Sequence, residues 1–350
     1  MKKTLLRLLL QPFSFVYGAM VGLRNNLYDR GILKSRSFGI PLISVGNVTV
    51  GGTGKTPHVE YLIELLKERF SLAVLSRGYG RRTRGFRYVA SDDTNETAGD
   101  EPLQIKLKYP DVVVAVDGSR VRGTGRLLRD HPKLELVLLD DAFQHRRIAV
   151  SLHIVLSGYS RPAPLDSLLP VGRLRDKASS LHRADLIVIS KCPDGLDEES
   201  RAAHARLFDA YGKPLYFGRL RACAIQSAFG KCRKFDSRRL LAVAGIANPD
   251  MFFSMVEQLY PRANIERLEF EDHHDFSERD AALIASKAAS RLVITTEKDA
   301  VRLRRHIGRS LTERFADKVF TIPVKAEIDD SHSFNQHIID HVIRKSKTNG

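Results

Sequence analysis

The sequence predicts an α/β fold: a mostly parallel sheet with helices on both faces, a second and smaller α/β lobe, and an amphipathic helix at the N-terminus. Three observations predict it. Short unbroken apolar runs recur along the chain, the pattern of strands buried on both faces. Helical segments alternate with them and hairpin signals are few, which indicates crossover units rather than an antiparallel sandwich. The alternation restarts beyond about residue 220, so a second lobe is expected there.

The chain begins with a mostly apolar stretch, Thr4 to Leu23, interrupted by Arg7 and Gln11. Up to Phe38, Lys2, Lys3, Arg7, Arg24, Arg30, Lys34 and Arg36 face the single acid Asp29. About twenty residues barely span a bilayer, and an arginine inside the stretch favours a helix lying in the membrane interface. No clear small-residue cleavage site follows, so the stretch does not read as a signal peptide. A core helix packed on the following domain is the competing structural reading. Residues 1–38 are therefore expected to form a membrane-associated helical segment, 39–220 the main domain, and 221–350 a smaller C-terminal α/β domain that ends in a helix.

Leu42 to Pro57 read LISVGNVTVGGTGKTP. A buried strand (Pro41 to Val45) leads into a glycine-rich loop, then Lys55 and Thr56, then a helix carrying Val59, Leu62, Ile63, Leu65 and Leu66. Strand, glycine loop, Lys-Thr and helix is the order of a phosphate-binding loop, so the sheet is of the P-loop NTPase kind. Gly51, Gly52 and Gly54, with Thr53 between them, would let backbone N–H groups turn toward phosphate oxygens, and the helix N-terminus adds positive potential. Lys55 would reach the β- and γ-phosphates of ATP and Thr56 would hold Mg²⁺. Thr49 stands where the usual spacing has its first glycine.

Further strands are expected at Ser71 to Ser76, Asp111 to Val116, Leu134 to Leu139, Leu152 to Leu156 and Leu186 to Ile189, with a basic helix from Ser119 to Arg129. The second lobe should hold strands at Leu240 to Ala244, Ile265 to Phe270, Arg291 to Thr295 and Lys318 to Pro323. Its helices should be Asp250 to Leu259, Ser277 to Ser290 and a last one from about Ser331. In an open α/β sheet, ligands bind beyond the carboxyl ends of the strands, and several charged groups fall there. Asp140 and Asp141 follow one strand, as the metal-side acid of a P-loop enzyme does. Asp100 opens a short helix and reads alone as a cap; Asp272-His273-His274 follow a strand in the second lobe, where a histidine could orient a carboxylate. Arg77, Arg120 and Arg175 occupy positions suited to neutralising a phosphoryl group or an anionic acceptor.

A net charge of +15 calls for an anionic partner: nucleic acid, a phospholipid surface or a phosphorylated substrate. No nucleic-acid module or aromatic stacking motif is present, which removes the first. Cys192, Cys223 and Cys232 have neither metal-ligand nor disulfide spacing and fit a reducing cytoplasm.

Together the motifs SVGNVTVGGTGKTP, LSRGYGRR, GDEP, LDDAFQHRR, LPVGRLRD, AGIANPDMF, EDHHDF and TTEKDAV resemble the tetraacyldisaccharide 4′-kinase family, in its order and spacing and over nearly the whole chain. The resemblance implies transfer of the ATP γ-phosphate to the 4′-hydroxyl of a tetraacylated glucosamine disaccharide 1-phosphate, giving lipid IVA. It implies work at the cytoplasmic face of the bacterial inner membrane with Mg²⁺, a lipid partner, and no obligatory protein partner. By matching position it makes Asp100 the base with His273 as its partner. Lys55 and Thr56 then bind phosphate and Mg²⁺, Asp140 and Asp141 serve the metal, and Arg77, Arg120 and Arg175 line the active site. Two positions depart from the family pattern: Ala142 where glycine is common, and Asp176 where glutamate is common. The alternative is a membrane-associated P-loop ATPase switch that phosphorylates no acceptor, although partitioning ATPases carry a second lysine early in the loop and this loop has only Lys55.

Overall fold

Leu42–Asn47 is buried throughout, and its alternate side chains enter two separate cores. Leu42 packs with Ala73, Leu75, Val137 and Leu139; Ile43 and Val45 pack with Val59, Leu62 and Val74. A strand apolar on both sides must lie between two layers of helices. The computed structural model describes residues 2–229, 238–309 and 311–348; Cys232 lies outside them. In chain order the strands β1 to β8 are Leu42–Asn47, Leu72–Ser76, Arg87–Tyr88, Val113–Val116, Leu136–Asp140, Leu152–Gly158, Leu186–Ser190 and Leu215–Ala222. Strands β9 to β14 are Gln226–Ser227, Arg239–Ala244, Asn264–Glu269, Leu292–Thr295, Val319–Thr321 and Val324–Ile328.

The larger sheet runs β14-β8-β7-β6-β1-β5-β2-β4-β3. Its inner strands, β8 through β4, are parallel, and the edges β14 and β3 are antiparallel to their neighbours. The mostly parallel P-loop architecture expected from the sequence is thus the one observed. Helix Lys55–Leu66 buries Val59, Leu62, Ile63 and Leu66, one face at helical spacing. Each such side chain contributes about 1.5–3 kcal/mol. The smaller sheet runs β11-β10-β12-β13-β9. Along β10, Leu241 and Val243 enter a core with Phe276 and Ile284, while Leu240, Ala242 and Ala244 face Phe252, Phe253 and Val256.

The end of the chain departs from the expected division at residue 220. After β13 the chain crosses back, and β14 pairs with β8 from Val324↔Ala222 to Ile328↔Gly218. Helix Ser331–Thr348 then buries Phe334, Ile338 and Val342 in the same core as β1 and helix Lys55–Leu66. By strand pairing and packing, the last strand and helix belong with the larger sheet, not the smaller lobe. Strand β8, not anticipated from the sequence, supplies the edge that receives them.

Helix Lys2–Asp29 lies along the larger lobe. Ser14 Oγ donates to the Leu168 carbonyl, Tyr17 Oη to the Arg175 carbonyl and Asn25 Nδ2 to Asp176 Oδ1, each at 2.9 Å. The opposite face carries Leu9, Phe13, Val16, Met20 and Leu23, all exposed and spaced by three or four residues. No helix among the described residues is long and apolar enough to cross a membrane. The lobes meet where helix Glu297–Leu303 packs on helix Asp100–Lys108, with Lys298 Nζ 2.5 Å from Glu101 Oε1.

Candidate active site

The glycine loop leaves β1 at Asn47. Gly54 has φ 82° and a Cβ there would lie 3.1 Å from Leu220 Cδ1, so glycine is required by both conformation and space. Thr53 pins the loop: its hydroxyl accepts from Asn47 Nδ2 at 2.8 Å and its carbonyl from Ser190 Oγ at 2.9 Å. Gly54 gives helix Lys55–Leu66 no side-chain cap, which leaves the first-turn N–H groups for an anion. His58, buried one turn on, donates from Nδ1 to the Gly54 carbonyl at 2.8 Å, and burial lowers its pKa to about 4. It therefore holds the loop as a neutral ring.

The two adjacent acids after β5 sit in different environments. Asp140 is buried; Oδ2 accepts from Ser76 Oγ at 2.9 Å, while Oδ1 has no partner among the described residues. Burial, reinforced by the charges of Glu101 and Asp141, raises its pKa to about 7. A buried carboxylate oxygen without a donor is a group that a cation would satisfy. Asp141 has φ 49° and is already paired: Arg175 grips both its oxygens and Lys55 Nζ lies 3.8 Å away. Burial opposes ionisation, but Lys55 and Arg175 outweigh it and hold the pKa at about 2.

Arg175 also donates to Asn47 Oδ1 at 2.6 Å, so its guanidinium braces the loop as well as the acid. Arg120 differs from the expected phosphoryl-facing arginine. It is buried, and its terminal nitrogens donate to the carbonyls of Asp117 and Asp140, both at 2.8 Å. A side chain committed to two backbone carbonyls acts as a strut for the end of β5. Arg77 is exposed after β2 and makes no hydrogen bond or ion pair with a described residue. Gln144 donates to the Asn47 carbonyl at 2.8 Å, and His145 is kept neutral, its pKa lowered to about 4 by burial and by Arg120 and Arg77. Asp176 does not reach the loop. Its carboxylate accepts from Ser180, Asn25, the Lys177 amide and Arg183, so the shorter side chain anchors the N-terminal helix instead.

Across the seam, Asp100 receives two bonds on Oδ2 from Arg302, at 2.8 Å from Nε and 2.6 Å from Nη2. His273 Nδ1 is 3.6 Å from the same oxygen, and its ring meets Tyr79 edge-on at 5.4 Å. Burial alone would raise the Asp100 pKa, but its contacts with His273 and Arg302 hold it below the ordinary carboxylate value. Arg302 is itself buried and fixed by Asp299 Oδ1 and the Gly245 carbonyl, both at 2.8 Å. Glu101, next to Asp100, feels the charges of Lys298, Lys55 and Asp141, so this helix start lies within electrostatic reach of the loop.

Asn47, Glu101, Lys191, Lys298 and Arg302 also stand at or near the site and are not among the residues expected from the sequence. Lys191 and Lys298 each follow a strand end, and Lys191 Nζ lies 4.0 Å from where a Cβ on Gly52 would stand. Their place just beyond β7 and β12 was the available signal. Among the described residues no three His, Cys, Asp or Glu side chains form a group able to hold a metal alone.

An uncapped helix start at a glycine loop, with a carboxylate of the same lobe held at the seam by an arginine and an imidazole of the other, suits a P-loop phosphotransferase. A family model described as tetraacyldisaccharide-1-P 4′-kinase matches residues 6–343. The chain belongs to this family of lipid A biosynthesis kinases. It is 42% identical to the tetraacyldisaccharide 4′-kinase of Bacteroides fragilis YCH46 over 361 aligned positions, covering 97% of this chain and 94% of that protein. It is 41% identical to the Porphyromonas gingivalis ATCC 33277 enzyme of the same name, covering 91% and 92%. Among solved structures it resembles LpxK from Aquifex aeolicus, crystallised in complex with ATP. That likeness has a TM-score of 0.77 and 29% identity, and covers 96% of this chain and 99% of that one.

Proposed function

We propose that the chain transfers the γ-phosphoryl group of ATP to the 4′-hydroxyl of a tetraacylated glucosamine disaccharide 1-phosphate, giving lipid IVA. The observation that carries the reading is the placement of Asp100. Its carboxylate is held ionised by Arg302 and His273, and it begins the helix whose next residue senses Lys55 and Asp141. A sugar hydroxyl is a weak nucleophile, so an ionised carboxylate within hydrogen-bond reach accepts its proton as the new O–P bond forms and the bond from the γ-phosphorus to the bridging oxygen breaks, releasing ADP. His273 Nδ1, 3.2 Å from Arg302 Nη2 and 3.6 Å from Asp100 Oδ2, helps to orient the guanidinium and the carboxylate together. Positioning and charge neutralisation supply the larger part of the acceleration.

The backbone of Gly51, Gly52, Thr53 and Gly54 cradles the phosphates, and Lys55 neutralises their charge. Thr56 and the free oxygen of Asp140 would hold Mg²⁺, with phosphate and water oxygens supplying the rest, because the described residues offer too few ligands for a closed cage. When bound, Mg²⁺ neutralises charge on the phosphate oxygens. Asp141 belongs to this region as the counter-ion of Lys55 and Arg175. Arg77, exposed and without a hydrogen-bond or ion-pair partner among the described residues, meets the transferring group or the acceptor.

The acceptor is an acylated lipid, and the exposed row Leu9, Phe13, Val16, Met20 and Leu23 suits shallow insertion at the cytoplasmic face of the inner membrane. A Phe13→Glu, Met20→Glu variant should lose sedimentation with anionic vesicles; unchanged sedimentation would overturn the membrane role of this row. The test of the reaction is labelled ATP offered with the lipid disaccharide. Transfer of label to the lipid supports the kinase reading, and release of inorganic phosphate alone would support an ATPase switch.

A further inference from the structure

Among the described residues, three other than glycine have left-handed backbone: Asp141, Lys191 and His273. The first and last belong to the machinery already assigned. Lys191, with φ 60°, comes immediately after β7. A lysine has no short polar side chain to offset that conformation, so its surroundings must impose it. They do so on both sides. Ser190 Oγ donates to the Thr53 carbonyl and the Ser190 carbonyl accepts from the Tyr159 amide, both at 2.9 Å; the Cys192 amide donates to the Gly218 carbonyl at 3.0 Å. The end of β7 and the glycine loop are thereby tied together, with Lys191 at the joint.

This turn carries the ammonium to the loop, where Nζ stands 4.0 Å from the place a Cβ on Gly52 would occupy. Its charge is not employed by the fold. Lys55 has Asp141 at 3.8 Å and Lys298 has Glu101 at 2.5 Å, whereas Lys191 makes no hydrogen bond or ion pair with a described residue. Burial lowers its pKa and the positive Lys298 lowers it further, with no acid among the described residues to oppose them. Withdrawing a cation from water without a counter-charge is unfavourable, and so is left-handed backbone at lysine. Both unfavourable features fall on one residue, and both are offset if an anion occupies the loop beside it.

We propose that Lys191 is a second phosphate-binding lysine of the nucleotide site, its ammonium meeting the phosphate chain of ATP on the Gly52 side of the loop. The proposal rests on ATP being the phosphoryl donor and adds a residue to the set that holds it. The loop's own sequence supplies only Lys55; the second cation arrives from the end of another strand, fixed there by the Ser190 bond to Thr53. A lysine suits this role as a compact charge on a stem that the turn has already aimed.

The test uses the full chain with Lys191→Met, which keeps the stem and the backbone demand but removes the charge, and Lys191→Arg, which keeps the charge. Equilibrium titrations with ATP and with inorganic triphosphate, both with Mg²⁺ and without acceptor, give the Kd values. In Lys191→Met both should rise about tenfold or more, and Lys191→Arg should recover most of the loss. The Tm of the free protein should not fall in Lys191→Met, while the rise in Tm on adding ATP should shrink. A packing role alone would give the reverse, a lower Tm with the ATP-induced rise intact, and would overturn the contact. So would Kd values within about twofold of wild type. A loss seen with ATP but absent with inorganic triphosphate would also overturn it, because Lys191 would then meet the nucleoside. With no acceptor present, the titrations read Lys191 apart from phosphoryl transfer; a wild type that binds ATP but labels no lipid would bring down the kinase reading alone.

Discussion

The phosphate cradle and the proposed base are built in opposite ways. Asn47 through Thr56 are consecutive and are fixed from within one lobe, by Asn47 to Thr53 and by Ser190, Gln144 and Arg175. Asp100 comes from the larger lobe, but the groups that hold it, Arg302 and His273, come from the smaller one. The cradle therefore exists whatever the second lobe does. The base has its orientation and charge state only while the lobes are joined. Nucleotide binding and proton removal should consequently be separable by mutation.

The largest effect is expected at Asp100. Asp100→Ala removes the proton acceptor and should lower kcat by about 10²–10⁴-fold, while a binding titration shows ATP affinity within about twofold of wild type. If ATP affinity fell in step with turnover, the two regions would not be independent. Lys55→Ala probes the other region. It removes a charge from the phosphates in both ground and transition states, and so should lower kcat/KM for ATP by about 10²-fold or more. Wild-type activity in that variant would overturn the assignment of the loop.

Next in size is Arg302. Truncating it strands the buried Asp299 as well as Asp100, a loss of about 3–5 kcal/mol, so the informative variant is the paired Asp299→Asn, Arg302→Met. Asp100 then faces Glu101 on its own helix, and His273, Asp272 and Lys298 from the other lobe, without the guanidinium. Arg302 donates directly to Asp100 and depresses its pKa against the effect of burial, whereas Asp299 acts on it only through its charge, so the loss of both should raise it. The acid limb of the kcat/KM profile should move to higher pH by about one unit or more. ATP affinity should be unaffected. An acid limb that stayed in place would show that Arg302 supports the fold alone.

The same contrast explains what could be read before any coordinates. The cradle is a contiguous run whose glycine spacing, Lys-Thr pair and flanking periodicity sit within one strand–loop–helix, so local pattern was sufficient. Arg302 lies 202 positions from its partner, in a helix where an arginine reads as a solvated surface group. Nothing local distinguishes it from its neighbours Arg304 and Arg305. Asp100 and His273 stand out singly by their places at a helix start and after a strand, but their pairing comes from the resemblance and not from spacing. The final helix shows the same limit. Phe334, Ile338 and Val342 announce an apolar face, but an apolar face does not say which sheet will cover it. Adjacent Asp140 and Asp141 looked equivalent as residues; the left-handed backbone at Asp141 turns one away from the other and gives them different partners.

The smallest effect, and the sharpest probe of the seam, is expected at His273. Its backbone has φ 58°, a conformation that costs most residues but that asparagine tolerates. His273→Asn keeps the loop and a polar group near Asp100 but removes the ring that meets Tyr79, whereas His273→Ala loses the ring and its contacts and keeps the left-handed strain of about 1–2 kcal/mol that asparagine relieves. If His273 matters chiefly by orienting Asp100, both variants should lose about tenfold in kcat, with Asn the milder and only Ala lowering Tm. If it matters chiefly as a proton relay, asparagine should be as poor as alanine in kcat although its Tm is preserved. Equal, wild-type turnover in both would mean that Arg302 alone holds the base. The smaller lobe's contribution to the chemistry would then reduce to one guanidinium.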